Sequence, residues 1–218
     1  LHYGPTPVPT AIERCEEMLA MPISDRSYQA GLQSTLGGLR AMEGNFDEAR
    51  SLWVEARTMY EELGLRARRA GRSLIPAEIE LLAGNPGEAV AILRWACEKL
   101  EELGVESIRA TISAFLADAL CEAGDFEEAR HFADVAAESG ARDDVVTQVM
   151  WRIARSKADG DSRLADEAHV LAQTTDYPDL KARAFLALGE PAEARRIYET
   201  KGNVAAAERL LARQTASS

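Results

Sequence analysis

At 218 residues and 46% hydrophobic content, the chain carries enough apolar material to bury a continuous core. Its 36 Asp and Glu outnumber 25 Lys and Arg, a net charge of -11 that argues against a nucleic-acid or anionic-membrane binder, since phosphate contacts are built from clustered basic side chains. Cys15, Cys97 and Cys121 form neither a disulfide framework nor a CxxC motif, which fits a reducing cytoplasm, and no run approaches the roughly 20 apolar residues of a membrane span.

The chain opens at Leu1 without an initiator Met, followed by Gly4, Pro5, Pro7 and Pro9, and reads as a piece of a longer polypeptide. Residues 1–41 are expected to hold opening helices. From Met42 a period sets in. MEGNFDEARSLWVEARTMYEELG (42–64) aligns without gaps on LAGNPGEAVAILRWACEKLEELG (82–104), and EAGDFEEARHFADVAAES from Glu122 joins them. Gly44, Gly84 and Gly124 stand 40 residues apart.

Around each of these glycines the code is a helix stop followed by a helix start. Gly can take the left-handed conformation that ends a helix, and Asn45, Asn85 and Asp125 are good N-caps, each with a Glu three residues on (Glu48, Glu88, Glu128) as in a capping box. Pro86 suits a first helical position. Past the turn Ala49, Trp53 and Ala56 recur as Ala89, Leu93 and Ala96, then as Ala129, Ala133 and Ala136, spaced to share one helical face. Trp53 is expected to be mostly buried there. Seven residues before each Gly lies a small residue, Gly37, Ala77 or Ala117, where paired helices would approach closely. Pro76 falls inside a helix predicted to run from the basic stretch Arg66, Arg68, Arg69 and Arg72, and predicts a kink.

After residue 140 the pattern decays. Gly160 follows Gly124 by 36 residues, and a last hairpin can be placed at Gly189, Pro191, Ala194 and Tyr198 after a short helix at 179–188. Residues 203–213 read as a capping helix and 214–218 as a frayed tail. Residues 42–140 thus hold the best-formed repeats and 141–213 the degenerate ones, in one solenoid over 1–218.

The order small residue, Gly, aromatic or Pro, Ala, large apolar, Ala resembles the tetratricopeptide repeat (TPR), in a long-helix variant of about 40 residues instead of the usual 34. The resemblance implies an all-α, right-handed solenoid of antiparallel helix pairs. GPTPVPTAIERCEEML, the repeated EELG ends and YETKGNVAAAERLL also look like the C-terminal repeat region of bacterial signalling proteins that carry nucleotide-cyclase and AAA-type ATPase domains. That likeness implies an interaction and regulatory scaffold. The alternative is a ligand- or peptide-sensing superhelix like those of bacterial transcription regulators; a closed apolar pocket would favour it, an open wet groove the scaffold.

No phosphate loop, GxGxxG, HExxH or GxSxG motif occurs, so no enzyme activity, catalytic residue, cofactor or metal is expected. His131 and His169 read as ordinary repeat residues, Cys97 and Cys121 as buried hydrophobes, and the pairs Glu61/Glu62, Glu101/Glu102 and Glu127/Glu128 as solvated faces, because helix neighbours do not face one point. The family's register puts the first helix of each pair on the concave side, with Ser34, Gly38, Met42, Glu78, Leu82, Thr111, Asp118 and Glu122 along a groove. That wall would suit an extended or helical protein segment with basic side chains. Glu78, Asp118 and Glu122 lie outside the predicted core seam, so the fold should tolerate their reversal. Arg66, Arg68, Arg69 and Arg72 form a second candidate surface.

Overall fold

Eight glycines with positive φ punctuate the chain, and five of them, Gly44, Gly64, Gly84, Gly104 and Gly124, are spaced every twenty residues. Each ends a helix. A computed structural model describes residues 1–22 and 24–216, which form thirteen helices and, among the described residues, no strand. They are α1 (Val8–Ala20), α2 (Arg26–Met42), α3 (Phe46–Glu62), α4 (Arg66–Gly71), α5 (Leu74–Leu82), α6 (Pro86–Glu102) and α7 (Glu106–Ala123), then α8 (Phe126–Ser139), α9 (Val145–Asp159), α10 (Ser162–Ala172), α11 (Pro178–Ala187), α12 (Pro191–Lys201) and α13 (Val204–Ala216).

The three hairpin glycines of the 40-residue period have φ of 89°, 85° and 85°, as the turn code predicts. The capping box holds only once. Asp125 accepts from Glu128 N at 3.1 Å, whereas Asn45 and Asn85 make no side-chain cap. All three turns share a backbone bond back across the glycine, Asn45 N to Arg40 O at 2.9 Å, Asn85 N to Glu80 O at 2.8 Å and Asp125 N to Leu120 O at 3.0 Å, which closes a Schellman turn in each. The Asn85 amide turns to Glu80, which also accepts both prongs of Arg50, and Glu128 takes Arg94 from the preceding repeat.

The helices pack as consecutive pairs, α2/α3, α5/α6, α7/α8, α9/α10 and α11/α12, stacked into a TPR-like helical solenoid. The first members, α2, α5, α7, α9 and α11, contact one another in series and line the inner face. The small seam residues do what their size permits: a Cβ added at Gly37 would meet Ala49 O at 3.0 Å, and Ala77, Ala117, Ala89, Ala96, Ala129 and Ala133 are all buried. Leu93, Leu100, Leu116 and Leu120 fill the space between, each contributing about 1.5–3 kcal/mol by burial. Trp53 differs from expectation. It is half-buried, resting on the Ala49–Ile75–Ile79 cluster with one side toward an outer cleft shared with Trp95.

Pro76 breaks its helix and does not merely kink it. The Arg72 carbonyl, deprived of an N–H from Pro76, accepts from Ile75 N at 3.1 Å, and the chain turns at 72–73 into α5. Downstream, α11 lies one residue from the predicted 179–188, while α13 continues through residue 216 where fraying from 214 was expected; residues 217–218 of that tail lie outside the described residues.

The superhelix does not stay open. α13 crosses to lie on α2 and α5, far earlier in the array, and the Lys201 ammonium donates to the carbonyls of Leu1 (3.0 Å), Gly4 (2.7 Å) and Thr6 (2.6 Å). The accessible surface of 10,217 Å² agrees with it. A compact globular protein of this mass exposes about 9,900 Å².

Candidate functional site

Each first helix sends one polar residue per turn or two to the inner face, and the eight groove positions separate into three depths. Ser34 and Met42 are buried: Met42 packs with Val8, Ile12, Leu36 and Leu39, and Ser34 Oγ has no hydrogen-bond partner. Gly38 lies under the His2 ring, where an added Cβ would come within 2.6 Å of Nδ1. At the wall itself stand Glu78, Leu82, Thr111 and Glu122, with Asp118 just behind.

The acidic wall does collect basic groups, and they belong to this chain. Asp118, 1% exposed, accepts from Lys157 Nζ of α9 at 2.6 Å and Arg183 Nη1 of α11 at 2.7 Å. Glu122 pairs with Arg209 at 3.2 Å, with Arg213, and with Lys157 at 3.6 Å. Glu78 Oε2 bonds His2 Nε2 at 2.8 Å. Burial alone would push the Asp118, Glu122 and Glu78 carboxyls up, yet the neighbouring basic groups, including the His2 hydrogen bond to Glu78, outweigh it and hold all three below their ordinary values. Burial opposes charge on Lys157 too, but Asp118 and Glu122 raise its pKa. The expectation that the fold tolerates reversal at Asp118 is therefore corrected: spacing alone places it off the helix–helix seam, but Lys157 of α9 and Arg183 of α11 reach over it and make it a buried counter-ion.

Four groups in this assembly carry no sequence motif: His2, Lys157, Arg183 and Lys201. Gly38 was one trace, since a glycine in a helix interior marks close approach of another group. Arg209 and Arg213, four apart on one face of α13, were another. Beneath the strap formed by residues 1–7 lies a partly enclosed cavity of about 260 Å³ between α5, α7, α9 and α11, with Tyr3 and Tyr177 at its edge; a smaller one of about 80 Å³ adjoins it toward α13. The Tyr3 ring is partly open to solvent, but desolvation around its phenol oxygen pushes the hydroxyl well above its ordinary pKa.

The basic run does not form one patch, because successive residues of the short α4 point about 100° apart. Arg66 is exposed, Arg68 donates to Ser27 Oγ at 2.9 Å, Arg69 stacks 4.2 Å over the Trp95 ring, and Arg72 faces the Tyr60 hydroxyl. His131 and His169 lie edge-on to Phe132 and Phe185. Cys97 is buried beside Ser113 Oγ, and burial pushes the Cys121 thiol up to about 12, which disfavours a reactive thiolate. No helix among the described residues is long and apolar enough to cross a membrane.

A family model described as Tetratricopeptide repeat matches residues 180–200, the α11–α12 hairpin. It falls in the region where the 40-residue period has decayed. The crystal structure of BtubC (BKLC) from P. vanneervenii is similar in fold, with a TM-score of 0.59 at 20% identity over 95% of this chain and 89% of that one. No curated protein matches the chain. The repeat match and the fold likeness together support a TPR-type repeat architecture, one that generally serves protein binding and is typically non-catalytic.

Proposed function

We propose that the chain acts as a single protein-interaction scaffold and as the regulatory C-terminal part of a larger cytoplasmic bacterial signalling protein, one whose other domains include a nucleotide cyclase or AAA-type ATPase. One observation carries the binding mode: the inner wall holds an Arg-bearing helix, α13, through Glu122. A partner helix or extended segment with basic side chains that displaces α13 and the strap would be taken by the same chemistry. Glu78, Leu82, Thr111 and Glu122 are its contact residues, with Ser34, Met42 and Asp118 supporting them from behind. Of the basic run, Arg66 and Arg68 stay exposed and offer a secondary contact for an acidic segment. The partner is a protein segment or a domain attached in the parent chain, not a nucleic acid or a membrane, and the module needs no cofactor.

Site-specific photo-crosslinking in the native cell tests this reading. A crosslinker at Leu82 or Glu122 should trap a discrete partner segment rich in Lys or Arg, whereas one at the exposed Glu61, Glu101 or Glu127 should not. Adducts confined to the outer positions would reject the concave site.

A further inference from the structure

We propose that the cavity under the strap binds a small primary amine carried on a single-ring or branched apolar body, a site that shares Glu78 and Thr111 with the partner surface above but not Leu82 or Glu122. Size sets the first limit. A dry cavity of about 150 Å³ accepts benzene, so about 260 Å³ takes one ring with a short chain. Leu74, Leu81, Leu93, Phe115, Val146 and Leu180 supply apolar walls, and the Tyr3 and Tyr177 rings, 6.3 Å apart, stand at the edge.

The polar groups select the charge. Arg183 is the cavity's one basic lining residue, and it is already held by Asp179 at 2.6 Å through Nε and by Asp118 at 2.7 Å through Nη1. An anionic ligand would have to compete with both and would also face Glu78, Asp179 and Asp144 on the same walls. Asp144 is the odd member. Its oxygens accept from Thr147 N at 3.3 Å, Thr147 Oγ1 at 2.6 Å and Thr111 Oγ1 at 3.2 Å, but among the described residues no Lys, Arg or His forms an ion pair with it. It lies half-buried at the start of α9, where its free lone pairs can accept an ammonium while the ligand's apolar end packs on Phe115 and Leu93. The tyrosine ring faces favour a cation as well. A small molecule suits the space better than a protein segment, because the strap through Tyr3 stands where a partner backbone would enter.

The probes are 2-phenylethylamine, 2-phenylethanol and 3-phenylpropanoate, titrated calorimetrically into the full chain. The amine should bind one to one and roughly tenfold or more tighter than the alcohol, the step expected of a charge-assisted bond, with the carboxylate weakest. Asp144→Asn keeps an acceptor for the helix cap and should reduce the amine to the affinity of the alcohol. Val146→Trp should fill the cavity and abolish binding of all three. An undetectable amine, a carboxylate binding as tightly as the amine, or unchanged amine affinity in Asp144→Asn or Val146→Trp would each overturn the proposal. Melting curves of both variants establish that they fold, and partner crosslinking at Leu82 and Glu122 is a separate readout.

Discussion

Replacing Asp118 by Asn leaves the volume of the side chain almost unchanged and removes one charge from the centre of the molecule. Lys157 then keeps only Glu122, at 3.6 Å, and Arg183 keeps only Asp179. Both cations stay where α9 and α11 hold them. Removing one partner from a buried ion cluster costs about 3–5 kcal/mol, because the remaining charges stay desolvated without compensation. At about 2–4 °C per kcal/mol for a chain of this length, the melting temperature should fall by about 6–20 °C. Circular dichroism at 222 nm would measure it. The triple change Asp118→Leu, Lys157→Met, Arg183→Met removes the charges together and should recover most of that loss, since an apolar replacement of a whole buried cluster is often neutral. If Asp118→Asn melts within about 1 °C of the unaltered chain, less than the shift of a single kcal/mol, Asp118 is not the buried counter-ion of Lys157 and Arg183 described above.

Gly84→Ala meets no atom within 4 Å, so only backbone strain at φ 85° opposes it; about 1–2 kcal/mol should be lost, read as a modest drop in melting temperature. Gly38→Ala should displace His2 and speed amide exchange in residues 2–8 while exchange in α6 and α7 stays slow. Acid should destabilise the chain in a defined direction: Asp118, Glu122 and Glu78 have lowered folded pKa values, so their contribution is complete above the unfolded values of about 3.9 and 4.3 and is lost as pH falls through the folded ones. The melting temperature should be level above about pH 5 and fall steeply below about pH 4, with a shallower slope in Asp118→Asn.

The repeat was legible because its determinants are local. A left-handed glycine, a small residue seven positions earlier and an alanine stripe after the turn each act within one hairpin, so their 40-residue recurrence in the sequence is the architecture itself. Asn45 and Asn85 differ from Asp125 because their side-chain amides donate to nearby carboxylates, Glu43 and Glu80, and do not cap the following helix. The groove positions were partly legible: the helical register places Glu78, Thr111 and Glu122 on the inner wall, but it does not tell wall from interior, and Ser34 and Met42 went under. Closure was not legible. It depends on single contacts between residues far apart in the chain, His2 with Glu78, Asp118 with Arg183, Glu122 with Arg213 and Lys201 with Leu1, and no period links such pairs.

Small-angle X-ray scattering on the monomeric chain tests closure most directly, because a solenoid shut by its own ends and one with an open groove differ in overall dimension. A closed molecule of 218 residues should give a radius of gyration of about 17 Å, the value for a compact chain of this length. A value above about 20 Å, clearly outside that compact scaling, would mean that α13 and the strap leave the inner wall in solution and that Glu78 and Glu122 face an open groove.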